Sequence, residues 1–169
     1  MDIIVQLGPR KGAAPKAVYR WDPDTDILSA RLRPGPSGAG PAESGSVELE
    51  GADGSWIVLD LVDRQINGLE VVVWPQVRRN GALAAPTEVR DAVALLPPGR
   101  EVGAVTSVEV ETPMTAESDP QERNFHFRIG LHAECSAVRV AHDLLLEVDA
   151  GGHVAGLWLL NVPPFPQEP

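Results

Sequence analysis

Apolar residues in this chain come in short bursts, and nearly every burst is closed by glycine, proline or an aspartate-bearing turn. Trp56 to Val62 is followed by Asp63-Arg64-Gln65, then by Ile66 to Trp74, and then by Pro75. Bursts of that length suit strands joined by tight turns better than the apolar stripe of a packed helix. The chain has 16 glycines and 16 prolines to supply the punctuation, and helix-favouring lysine stands only at Lys11 and Lys16. Since proline cannot donate to a sheet ladder and glycine marks bulges and turns, the pattern predicts a mainly β fold with strands cut short.

The strands expected on this reading are Ile3 to Leu7, Val18 to Trp21, Ile27 to Leu32, Val47 to Glu50, Trp56 to Val62 and Ile66 to Trp74 in the first part. In the second part they are Val102 to Glu111, Phe125 to Ile129, Val138 to Val140, Leu144 to Val148 and Val154 to Val162. Pro34 to Gly45 is a low-complexity tract without an apolar anchor, which predicts a mobile loop. Between the two parts, Thr87 is a candidate cap for a short helix over 88–96, with Val89, Val93 and Leu96 on one face and Pro97-Pro98-Gly99 as its stop.

Sliding the sequence along itself uncovers an internal repeat. Asp22-Pro23 matches Asp119-Pro120, and Leu28, Ala30, Arg31 and Leu32 match Phe125, Phe127, Arg128 and Ile129. Further on, Leu59, Asp63, Gly68 and Pro75 match Leu146, Asp149, Gly156 and Pro163 at a spacing about ten residues shorter. One longer loop at Pro34–Gly45 would reconcile the two spacings. The expected architecture is a single domain of two pseudo-repeats, about 17–79 and 101–163, joined by a helix-containing linker over 80–100. The repeats are expected to be antiparallel β units packed as a sandwich or a partly closed barrel.

The first repeat carries aromatic-D-P-[DE]-x-D-x-L-x-x-R-L at Trp21 to Leu32, followed by an acidic strand, a tight turn and Gly68-Leu69-Glu70. In this order of motifs it resembles a family of small bacterial proteins classed only as a domain of unknown function. Trp21 stands where that family usually has tyrosine; Asp22, Pro23, Asp26, Leu28, Arg31 and Leu32 stand as in its pattern. The resemblance covers about residues 19–75, implies a small β-rich unit, and brings no activity or catalytic residue with it.

Charge narrows the partners. With 24 acidic against 14 basic residues the net charge is −10, and the arginines are scattered apart from Arg78-Arg79. Phosphate binding draws on clustered cations, so neither nucleic acid nor an anionic membrane is expected as a partner. The single Cys135 cannot form an internal disulfide. The start, MDIIVQLGPRK, lacks a basic lead and apolar stretch of signal length, and no apolar run nears the ~20 residues that span a bilayer. The expectation is a soluble cytoplasmic protein.

Two constellations invite chemistry. Asp22, Asp24 and Asp26 occupy the first, third and fifth places of a calcium loop, but Ile27 replaces the turn glycine and Arg33 the closing glutamate. The same residues read well as a turn, with Asp22 followed by Pro23 and the Asp22 carboxylate placed to accept the N–H two residues on. Only the Asp-Pro pair recurs in the second repeat, where Gln121 and Arg123 replace Asp24 and Asp26. The second constellation is His126, His132, His142 and His153, with Glu134, Cys135 and Asp143 among them. Imidazole and thiolate are transition-metal ligands, yet no compact ligand signature is present, and alternation in Phe125–Ile129 points His126 and Arg128 to solvent. No serine-elbow, phosphate-loop or dinucleotide motif occurs. The four tryptophans are expected to fill a core between sheets.

These residues point to a non-catalytic β protein that works through protein contacts or self-association, with homodimerisation through open sheet edges and no cofactor. The alternative is a small metal- or ligand-binding protein, conceivably a hydrolase, with His126, His132 and His142 as ligands.

Overall fold

Period-two burial governs most strands of the first part, while those from Phe125 onward are largely buried on both faces, in the computed structural model, which describes residues 3–35, 44–96, 105–132 and 134–166. The first part contains β1 (Gln6–Gly8), β2 (Lys16–Trp21), β3 (Leu28–Arg33), β4 (Ser44–Glu50), β5 (Trp56–Val62), β6 (Gln65–Val73), β7 (Val77–Arg79), β8 (Val89–Asp91) and β9 (Val93–Leu95). The second contains β10 (Val105–Glu111), β11 (Met114–Ser118), β12 (Phe125–Ile129), β13 (Ser136–Ala141), β14 (Leu144–Val148) and β15 (Val154–Leu159). No helix occurs among the described residues, so none there is long and apolar enough to cross a membrane.

The protein is mainly β, as the sequence predicts. The short helix expected over 88–96 is not formed. Its place is taken by β8 and β9, and along 92–96 every second residue, Ala92, Ala94 and Leu96, is buried. The three-and-four spacing of Val89, Val93 and Leu96 suited a helix, but pairing with distant strands decides the matter: β8 lies parallel to β13 and β9 antiparallel to β1. Strand signals at 102–104, the tract at 36–43 and the stop at Pro97-Pro98-Gly99 lie outside the described residues, while Ser44 and Gly45 belong to β4.

The strands form two sheets. In the first, β10, β4, β5 and β6 lie side by side, and the far flank of β6 is shared by β3 with β2 and by β9 with β1. The second has the order β7-β11-β12-β15-β14-β13-β8. One hydrophobic core lies between them, with Leu28, Leu49, Ile57, Leu59, Leu69 and Val71 from the first sheet against Phe127, Val138, Leu144, Leu146, Leu157 and Leu159 from the second.

The two halves share one plan down to register. The order β2-β3-β6-β5-β4 in the first sheet is repeated as β11-β12-β15-β14-β13 in the second. Arg31 faces Gly68 as Arg128 faces Gly156, and Leu59 faces Leu69 as Leu146 faces Leu157. The bulge between Asp60 and Leu61 recurs between Glu147 and Val148. Leu28 thus corresponds to Phe125, Val47 to Val138, Leu59 to Leu146 and Leu69 to Leu157. These pairs lie 97, 91, 87 and 88 residues apart, so the length difference is divided between the β3–β4 and β4–β5 connections. A single longer loop at Pro34–Gly45 does not account for it.

Gly68 and Gly156 show why the register is fixed. A Cβ at Gly68 would stand 2.6 Å from the Ala30 carbonyl oxygen, and one at Gly156 would stand 2.7 Å from the Phe127 carbonyl oxygen. In both halves the neighbouring backbone fills the space of a side chain, which only glycine permits.

Strands from one half also complete the sheet of the other. β7 adds parallel to β11, and β10 adds parallel to β4. The second pairing sets near-identical sequences in register, with Glu48 beside Glu109, Leu49 beside Val110 and Glu50 beside Glu111.

Candidate functional site

The Asp-Pro turns come first, because they position the residues around them. In the first half the Asp22 Oδ1 accepts the Asp24 N–H at 3.0 Å, the Asp26 N–H donates to the Asp22 carbonyl at 2.9 Å, and Asp26 takes a left-handed φ of 60°. Aspartate tolerates that conformation well among non-glycine residues. In the second half the Asp119 Oδ1 accepts two N–H groups, from Arg123 at 2.8 Å and Asn124 at 2.9 Å. The turn reading therefore holds in both halves. Among the described residues no group of three or more histidine, cysteine or carboxylate side chains is arranged to hold a metal, and this includes Asp22, Asp24 and Asp26.

The histidines are dispersed into separate settings. His132 and His153 meet at one carboxylate: each Nδ1 lies 3.0 Å from Asp149, and the rings are 6.1 Å apart. Burial works to raise the Asp149 pKa, but hydrogen bonds from the His153 N–H and ring and the Gly151 N–H outweigh it and hold the carboxyl below its usual range. His142 is exposed in the β13–β14 turn, where its N–H donates to the Pro15 carbonyl. Cys135 is exposed, but local desolvation, then Glu147 and Asp149, push its thiol pKa up against the opposing pull of Arg128. It is thus kept from the thiolate form that a nucleophile or ligand needs.

His126 departs from the expectation that it faces solvent. Alternation does turn it away from the core, but it is buried against Trp158, with ring centroids 4.1 Å apart and planes 8° from parallel. Its Nε2 is hydrogen-bonded to the Glu147 carboxylate. The reason is a second apolar layer, for Ala137, Leu145, Ala155 and Trp158 are buried outside the main core. Residues 80–88 run from β7 at one edge of this sheet to β8 at the other, and Leu83, Ala85 and Pro86 within them are half-buried.

The tryptophans divide as well. Trp158 belongs to the outer layer, and half-buried Trp56, beside Glu50, lies on the outer face of the first sheet. Only Trp21 and Trp74 pack against the main core, at one end of the sandwich. They stack with centroids 5.6 Å apart, and Trp74 leans on Phe125 and Phe127 at 5.1 and 5.7 Å. Each indole N–H is used: Trp74 Nε1 donates to the Asp26 carbonyl at 2.9 Å, and Trp21 Nε1 donates to the Pro163 carbonyl at 2.8 Å. The C-terminal segment lies across this end, with Phe165 edge-on to Trp21 at 5.2 Å. Beside the stack, the Tyr19 hydroxyl donates to the Asp143 carbonyl, and burial is the main cause that raises its pKa well above the usual value.

Periodicity assigns the segment from Pro163 onward no role. The signal that could have found one is the concentration of prolines directly after the last strand, close in space to two aromatic residues that the repeat places at strand ends.

An edge is also open beside this end. In the second half β7 covers the outer side of β11. In the first half, among the described residues, β2 is paired only with β3, and Val18 in its middle is 52% exposed.

No known protein-family model matches this chain, and no curated protein is detectably similar to it.

Proposed function

We propose that the chain is a non-catalytic interaction module that acts through protein contacts or self-association, with a homodimer as the simplest form. The observation that carries this reading is the unequal treatment of equivalent edges. The β11 edge is covered by β7, while the β2 edge carries an exposed valine and has, among the described residues, no strand partner besides β3. The outer face of the first sheet supports a protein partner over a polyanion, because Glu48, Glu50, Asp60, Glu70, Glu109 and Glu111 lie on it. His126 serves packing against Trp158 and Glu147, and His132 and His153 serve the turn at Asp149.

Sedimentation of the untagged protein across a wide concentration range tests the reading. The expected result is a reversible dimer that Val18→Asp converts to a folded monomer. Stoichiometric zinc, iron or manganese in the purified protein, lost in the His126→Ala/His132→Ala variant, would overturn it in favour of a metal-binding protein.

A further inference from the structure

We propose that the Trp21–Trp74 stack forms a recognition groove for proline-rich segments, which the chain's own C-terminal segment, anchored by Val162 on Arg123, occupies in cis. The inference rests on the interaction-module reading and names the kind of partner.

The segment is built as a ligand. Pro163, Pro164 and Pro166 have fixed φ and no N–H, and each residue preceding a proline is confined to extended geometry, so Val162, Pro163 and Phe165 are restricted too. Beyond Val162, whose N–H donates to the Arg123 carbonyl at 2.8 Å, such a stretch favours the polyproline II form and is read mainly through its carbonyls and its side-chain surface. Those are the features engaged here. The Arg123 Nε donates to the Val162 carbonyl at 2.8 Å, and the Trp21 indole donates to the next carbonyl, that of Pro163, at 2.8 Å. Phe165 meets Trp21 in a T-shaped contact. An indole N–H on a carbonyl beside a stacked aromatic surface is the chemistry by which aromatic grooves hold proline-rich chains.

The other half shows what the segment is not. After β6, Pro75-Gln76-Val77 leads into β7, which pairs with β11. Extending the correspondence between β6 and β15, Pro163-Pro164-Phe165 takes that place, and Pro164 and Pro166 remove the N–H groups that a seventh-strand equivalent would need. The attachment is also shallow. Val162 is fully buried, whereas Pro164, Phe165 and Pro166 are exposed. A partner offering a carbonyl to the Trp21 indole and a proline or aromatic side chain beside it can therefore replace residues 163–166 while Val162 stays on Arg123 and the core is undisturbed. Tethering gives the cis segment an effective concentration on the order of millimolar, which masks weaker competitors.

The test uses a fluorescently labelled peptide of residues 161–169 and anisotropy as the readout. The chain ending at Val162 is expected to bind it at least tenfold more tightly than the full chain does, and Trp21→Phe in the shortened chain should lose that gain. Should the shortened chain not fold, the full chain carrying Pro164→Gly and Phe165→Ser, which keeps Val162 in place, is titrated instead. A folded protein with a freed groove and no binding at millimolar peptide would overturn the proposal. So would equal binding of a peptide with alanine at the three prolines, or affinity unaffected by Trp21→Phe. Sedimentation of the same samples separates the two readings: dimerisation that is lost on Val18→Asp, without peptide binding, removes the groove and leaves the interaction module standing.

Discussion

The half built on β2–β6 and the half built on β11–β15 follow one plan, yet they distribute their bulk in opposite ways. At equivalent register positions the first half has Leu28 and Ala30 where the second has Phe125 and Phe127, and Trp21 where the second has Ser118. The large residues of one half pack over the other, as Trp74 does against Phe125 and Phe127. Two copies of either half alone would leave a void or a clash at this end. The difference teaches that the repeats now specify each other: shared register sets the frame, and unshared side-chain volume sets the fit.

The largest effect should come from forcing the halves to match. Phe127→Ala copies the first half's Ala30 into the second and removes a ring that is fully buried. It should cost about 3–5 kcal/mol in urea unfolding, and a loss under about 1 kcal/mol would show that the Trp74 packing is loose. Next are the two glycines. Alanine at Gly68 or Gly156 should cost about 1–3 kcal/mol each, since the obstacle in each case is a backbone carbonyl. Gly156→Ala should be the worse, because the new methyl would also displace Glu147 from His126, and equal losses would argue against that second contact.

Smaller effects separate the turns. Asp119→Ala gives up two hydrogen bonds and Asp22→Ala one, so at about 0.5–1.5 kcal/mol per bond the second-half variant should lose more. Smallest, and visible only with pH, is the β14–β15 turn. Because the Asp149 carboxyl is held below its usual range, its contribution is fully present above the unfolded-state pKa of about 4 and fades as pH falls through the lower folded value. Wild type and Asp149→Asn should therefore converge in stability below about pH 4 and differ at neutral pH. A constant gap across that range would assign the effect to shape and not to charge.

Much of the fold could be read directly. Trp56–Val62, Phe125–Ile129 and Leu144–Val148 form strands with the expected limits, because each is a strong apolar or alternating run closed by a turn. β7, β8 and β11 were not legible, since Val77-Arg78-Arg79, Val89-Arg90-Asp91 and Met114–Ser118 owe their conformation to partners far along the chain. Alternation gave the correct side for His126 but could not tell what covers that side. Asp26 belongs to the motif at Trp21 to Leu32. It matters through its left-handed backbone and the carbonyl that receives Trp74, and asparagine there should be nearly neutral.

The in-register pairing of β10 with β4 has one more consequence. Among the described residues the outer flank of β10 has no strand partner; a parallel, self-matched ladder with such a flank is the geometry from which fibrils are templated, and a further copy of either strand would meet β10 in the same register. Each added copy would also stack another pair of carboxylates about 4.8 Å above Glu109 and Glu111. The columns of like charge that this edge tolerates once would grow with every layer, so the strand most ready to seed aggregation carries its own electrostatic insulation.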